Sequence, residues 1–267
     1  MSAWLSLTKK ELRLGLFTFL VPIVALLLIG SIAAYIGYRA GNFHWEVLSG
    51  GSALASSLTV FYLSYYMLSS LQSEKKKLHI WLHNPLPAYA LLLAKLVAGL
   101  ISMIVTVIIT VSIFAIAINQ LDNFSFPITL AQLSQQAWVI GIHYFMFSIN
   151  LAVWFILFWM IYLVLTRFIA PSISVIITFI IFILTITLYN WFAHSWIYEF
   201  LTGWGEIKAS EVIENLQYTT RFGPGRVEFS SDMAEMGTFV GEYVFGIVLT
   251  ILIFIIASWM LDRKVEV

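Results

Sequence analysis

Ser73-Glu-Lys-Lys-Lys-Leu-His-Ile-Trp-Leu-His-Asn-Pro-Leu-Pro-Ala-Tyr-Ala-Leu-Leu-Leu-Ala-Lys95 interrupts an otherwise greasy chain. It opens on the densest charge in the sequence, Glu74 to Lys77, and then sets Leu78, Trp81 and Leu82 at i, i+3, i+4. That spacing predicts a short amphipathic helix over about 74–84. Pro85 and Pro87 end it, because each lacks a backbone N–H and forces its predecessor toward extended geometry. The next apolar run carries Lys95 about two turns in, a depth from which its side chain is expected to snorkel to the headgroups. The stretch reads as a helix lying on a membrane surface between two spans.

Composition fixes the class. The chain is 61% hydrophobic and 10% charged, with a mean hydropathy of +0.93. Soluble domains have roughly 45–50% apolar and 25% charged residues. With spans of about 20 residues each, 267 residues hold about six helices and leave no room for a separate soluble domain. There are no cysteines, which excludes disulfides, a thiolate nucleophile and thiolate-bound zinc.

Outward from the opening stretch, residues 2–15 read as an interfacial helix. Thr8-Lys-Lys-Glu11 fits a capping box, Trp4, Leu5, Leu7, Leu12 and Leu14 give apolar surface, and Lys9, Lys10 and Arg13 cluster on one face. The plainer alternative is a charged flank before a span. Spans are expected at about 16–38, 52–71, 91–118, 137–165, 169–190 and 238–261. Pro22 falls in the second turn of the first, and Gly30/Ala34, Ala33/Gly37, Gly37/Gly41 and Gly237/Gly241 are small-xxx-small pairs that permit close helix approach. Residues 39–51 read as a short loop.

Polar groups in the spans are costly and usually face the protein interior. Tyr62 and Tyr66 in the second span, and His143 and Asn150 on one face of the fourth, are candidates either for interhelical hydrogen bonds or for a substrate path. Pro171 is placed to open the fifth span, in a first turn that tolerates proline. The segment 191–237 is the longest polar one, expected outside, with Trp191, Trp196 and Trp204 as interfacial anchors and helical composition over 209–218. Glu242, at the outer end of the sixth span, is a candidate outer-gate residue.

Basic residues orient the chain. With both termini inside, Lys9, Lys10, Arg13, Lys75, Lys76, Lys77, Lys95, Arg167, Arg263 and Lys264 are cytoplasmic, and only Arg39, Lys208, Arg221 and Arg226 are outside. A multi-pass protein of the cell membrane follows. No phosphate-binding G-x-x-x-x-G-K-[ST] loop, no H-E-x-x-H and no G-x-S-x-G is present, and no intramembrane carboxylate pair is legible. The chain is therefore expected to be no enzyme, to bind no cofactor or metal itself and no nucleic acid, and to need a partner as its energy source.

At Glu74, Leu78, Trp81-Leu82, Pro85 and Lys95 the chain resembles the permease subunits of ABC-2 type exporters, which often read E-[RK]-x-x-G-T-L-x-x-L-L-x-x-P-[VL]-S. Here Lys76 and Lys77 stand where Gly-Thr is common, and Pro87 where Ser is common. The order of interfacial helix, two spans, cytoplasmic helix and four spans extends the likeness over nearly the whole chain. The resemblance implies that Glu74, Lys75, Lys76, Lys77, Leu78, Trp81, Leu82 and Pro85 form a coupling helix against an ATPase subunit. It implies two such ATPases, which would hold ATP and magnesium, and a second permease copy or a homologous permease. It further implies candidate re-entrant helices before the sixth span. An amphipathic cargo, a peptide, lipid-linked molecule or drug, suits the aromatic interior. A non-transport scaffold or sensor partner and an ion-coupled secondary transporter remain as alternatives.

Overall fold

The computed structural model describes residues 3–41, 43–75, 86–120, 130–207 and 238–265. Among these, nine α-helices follow in order: α1 Ala3–Leu14, α2 Leu16–Gly41, α3 His44–Leu58, α4 Tyr62–Lys75, α5 Ala88–Asn119, α6 Leu130–Leu165, α7 Pro171–Ala193, α8 Trp196–Thr202 and α9 Val240–Met260. A π-helical turn, Leu261–Val265, extends α9. The only sheet among the described residues is a two-residue antiparallel pairing, with Glu206 opposite Phe239 and Ile207 opposite Thr238. The described residues are thus essentially all-helical. Among them, six helical stretches are long and apolar enough to cross a membrane: Leu16–Arg39, His44–Lys75, Ala88–Asn119, Gly141–Leu165, Pro171–Ala193 and Val240–Arg263.

Two boundaries differ from expectation. Residues 39–51 are not a loop, because α3 starts at His44. Its Gly and Ser content lowers hydropathy without stopping a helix that packs on α2 and α5. The second span is also broken by a 3₁₀ turn, Thr59–Phe61. α6 holds this break from the side: the Tyr144 hydroxyl bonds Thr59 and donates to the Ser56 carbonyl at 2.7 Å, and Ser148 donates to the Val60 carbonyl at 2.8 Å. Pro22 lies inside a continuous α2. Pro171 opens α7 as expected, behind Ala170 in extended geometry.

Packing centres on α5, which meets α1, α3, α4 and α9. Ala94, Ala98, Ser102, Thr106 and Thr110 recur every four residues and are all buried. Small side chains at this spacing let neighbouring helices come close, and helices in lipid associate through such packing and through polar contacts. Ser102 and Thr106 satisfy their hydroxyls on the carbonyls of Ala98 and Ser102. Around this stripe the core collects Leu63, Tyr66, Met67 and Leu71 of α4, Val153, Ile156 and Met160 of α6, and Ile253 and Ala257 of α9. By contrast α2 and α7 are peripheral; Ser174 is the only buried residue of α7. An all-round apolar, all-round exposed helix is stable only against lipid or another apolar surface.

Several elements meet at one end of the bundle. Trp4 Nε1 of α1 donates to the Ala90 carbonyl at 3.2 Å, and the Ala88 backbone N–H at the start of α5 donates to Asp262 Oδ1 at 3.1 Å. The two chain-terminal segments therefore share this end with Lys75 and Leu86, the residues that flank the 76–85 segment.

Candidate functional site

A buried cluster of three charged side chains lies at that shared end. Lys95 is 1% exposed and does not snorkel. Its Nζ donates to Glu11 Oε2 at 2.7 Å, to Glu74 Oε1 at 3.1 Å and to Ser70 Oγ at 3.0 Å. The physical reason is tertiary. α1 folds back over the start of α5 and covers the lysine, so opposite charges reach it before the headgroups do. An unpaired buried cation costs several kcal/mol, and a paired, hydrogen-bonded one is tolerated. Thr8 and Glu11 do not cap α1, which already begins at Ala3. Thr8 instead donates to the Trp4 carbonyl within the helix. Lys9, Lys10 and Arg13 are exposed on the far face of α1.

Tyr66 braces the same corner. Its hydroxyl donates to the Glu11 carbonyl at 3.2 Å, and its ring lies against Gly15 and Gly99 so closely that a Cβ at either would collide with it. Thr18 and Ser69 share a hydrogen bond of 2.8 Å between α2 and α4. Tyr62 is also buried, and its hydroxyl, on the Ser102–Thr106 side of α5, completes no hydrogen bond. Neither tyrosine lines either of the grooves described next.

Of the expected ATPase-facing residues, Glu74 and Lys75 are placed by the structure. Glu74 turns inward to Lys95. Lys75 donates to the Tyr162 hydroxyl at 2.7 Å and lies 4.5 Å from the centroid of that ring. Lys76, Lys77, Leu78, Trp81, Leu82 and Pro85, with most of the expected 74–84 helix, lie outside the described residues.

Two open grooves flank α6. The first, of about 1000 Å³, lies between α4, α6 and α7 and includes Lys75, Trp154, Phe158, Trp159, Tyr162 and Phe179. The second, of about 780 Å³, lies between α6, α7 and α9 and includes His143, Asn150, Tyr189, Glu242 and Tyr243. Leu151, Trp154, Phe158 and Phe182 belong to both. His143 and Asn150 make the interhelical contacts that were one of the two sequence expectations, and both also line the second groove. His143 Nδ1 lies 3.2 Å from the Tyr243 hydroxyl, and Asn150 Nδ2 donates to Thr250 Oγ1 at 2.8 Å, so both tie α6 to α9 while lining the second groove.

Glu242 sits in the first turn of α9, and the end of α8 with the residues just after it fixes that turn. Val240 and Gly241 donate to the carbonyls of Gly205 and Trp204 at 3.0 and 3.2 Å. Gly205 has φ +71°, a conformation that suits glycine. Gly241 abuts the Thr202 backbone with no space for a Cβ. Tyr198 of α8 stacks edge-on against Phe192 and Phe245. Burial first, then Tyr189 and the Glu242 carboxylate, push its hydroxyl up to about 12, so it stays neutral beside the groove. The expected helix over 209–218, and Gly237, lie outside the described residues.

Sequence reading missed the Glu11–Lys95–Glu74 cluster and the Ala94–Thr110 stripe. The stripe was legible as a strict four-residue repeat of small residues. The cluster was legible only as three charges near the same end of three helices. No group of three or more potential metal ligands occurs among the described residues. Comparison with protein-family models, curated proteins and solved structures gives no match.

Proposed function

We propose that this chain is the membrane-spanning permease subunit of an ATP-driven exporter of the ABC-2 type, moved by a separate ATPase that docks on the 76–85 segment. One observation carries the reading: Lys95, buried in α5, grips Glu74 at the end of α4 and Glu11 of α1. A push on the segment after Lys75 is thereby delivered to three helices at once rather than dissipated in a loose loop. Rigid-body shifts of packed helices are the usual form of such transmission. Two ATPases and a second permease, identical or homologous, complete the assembly in this reading. α1 lies at the headgroups with its basic face outward, both termini are cytoplasmic, and α8 with the 208–237 segment shapes the outer end.

An ion-coupled transporter fits less well. Glu11 and Glu74 are held on Lys95 and line neither groove, and Glu242, which does line one, sits in the first turn of α9 rather than near mid-span, where coupling ions are bound. The test is purification of the tagged chain from its own membranes, followed by assay of ATP hydrolysis. A nucleotide-hydrolysing subunit should co-purify, and Trp81→Ala or Lys76→Glu with Lys77→Glu should uncouple its hydrolysis from the permease. Absence of any such subunit, or hydrolysis indifferent to both changes, would sink the proposal.

A further inference from the structure

The two grooves share an aromatic wall but differ in charge. Among the described residues the only lysine, arginine, aspartate or glutamate that lines the first is Lys75. For the second it is Glu242. Among the described residues Glu242 makes no ion pair. The other polar groups of the second groove are already engaged: Asn150 with Thr250, Thr250 with the Gly246 carbonyl, Thr185 with the Ile181 carbonyl, His143 with Tyr243. They make little demand for hydrogen bonds from a ligand. What the groove offers is the aromatic rings of Phe147, Trp154, Phe158, Phe182, Tyr189 and Tyr243, and one carboxylate at the end.

We infer that the groove between α6, α7 and α9 is a binding site for a lipophilic monovalent organic cation, whose charge sits at Glu242 and whose apolar body lies against the aromatic wall toward Trp154. Aromatic faces attract cations by about 0.5–2 kcal/mol each, more where water is excluded. A volume of about 780 Å³ falls within the roughly 300–1,000 Å³ of sites that hold drug-sized ligands. An inorganic cation is poorly served, because it needs several oxygen ligands and the groove supplies one carboxylate. The first groove, with Lys75 at its far end, disfavours the same ligand, so the preferred position is the Glu242 end. As the cargo class of an exporter this rests on the permease reading; as a binding site of the isolated chain it does not.

The experiment uses the purified full chain, without any ATPase, in nanodiscs of zwitterionic lipid. Radiolabelled tetraphenylphosphonium is compared with tetraphenylborate, which has nearly the same shape and the opposite charge. Saturable binding above that of empty discs is expected for the cation, at least tenfold tighter than for the anion. Glu242→Gln should weaken the cation about tenfold or more and leave the anion unchanged. Glu242→Lys should invert the preference, which guards against a variant that merely loses its fold. The inference is overturned by equal binding of the two ions, by no saturable cation binding, by indifference to Glu242→Gln, or by displacement of the phosphonium through added phospholipid alone. ATPase co-purification is read separately, so either proposal can fail while the other stands.

Discussion

Replacing Lys95 with methionine tests the buried cluster directly. Methionine keeps the length and apolar stem of the side chain and removes the charge. Glu11, 4% exposed, and Glu74 would then lie together at the start of α5 with no cation between them. The cheapest relief is proton uptake by one carboxyl group. For an ordinary glutamic acid near 4.3, protonation at pH 7 costs about 2.7 units at 1.36 kcal/mol each, or about 3.7 kcal/mol. Breaking a buried pair by removing one partner costs about 3–5 kcal/mol, the same range. Lys95→Met should therefore lose about 3–4 kcal/mol in reversible unfolding from mixed micelles. The loss should shrink by about 1.4 kcal/mol for each unit the buffer is lowered from pH 7 toward 5, because proton uptake becomes cheaper. Adding Glu11→Gln to Lys95→Met should recover much of the deficit, and the coupling energy of that cycle should exceed the loss from Glu74→Gln alone. A Lys95→Met protein within about 0.5 kcal/mol of the parent, or a deficit independent of pH, would refute the reasoning.

Two further outcomes follow from the packing. Gly15→Ala drives a methyl into the Tyr66 hydroxyl and should cost about 1–3 kcal/mol by overpacking. Tyr66→Phe removes the obstructing oxygen and should restore part of that loss in a thermal-unfolding comparison, and a cost unrelieved by it would contradict the placement. Asn150→Leu and Thr250→Val each break the 2.8 Å bond between α6 and α9, and a double-mutant cycle should give a coupling of about 0.6–1.7 kcal/mol; zero coupling would mean that the two side chains do not meet.

The spans were legible because an apolar run of that length has one physical use. Their interrupted ends were less so. The helix at His44 reads as a loop by hydropathy, since Gly50, Gly51 and the neighbouring serines look like punctuation until α2 and α5 supply a packing surface. Lys95 shows the deeper limit. Snorkelling is correct for a lysine near a helix end facing lipid, and here a fold-back of α1 some eighty residues earlier in sequence puts Glu11 over it. No local pattern encodes that approach, and the Thr8–Glu11 spacing pointed elsewhere. His143 and Asn150 were legible as polar groups too costly to face lipid, which is a rule independent of the partner. Their partners Tyr243 and Thr250 required the packing of α6 on α9. Glu242 was legible as a lone acid; the aromatic groove around it was not, because its walls come from three helices.

The central claim is that the segment after Lys75 faces the cytoplasm, on the side of both termini, where a motor can grip it. The parent chain has no cysteine, so Lys76→Cys gives a single reporter. The measurement is its labelling by a membrane-impermeant maleimide in sealed right-side-out and inside-out vesicles. The account predicts labelling only in inside-out vesicles. Labelling from the outside would contradict it.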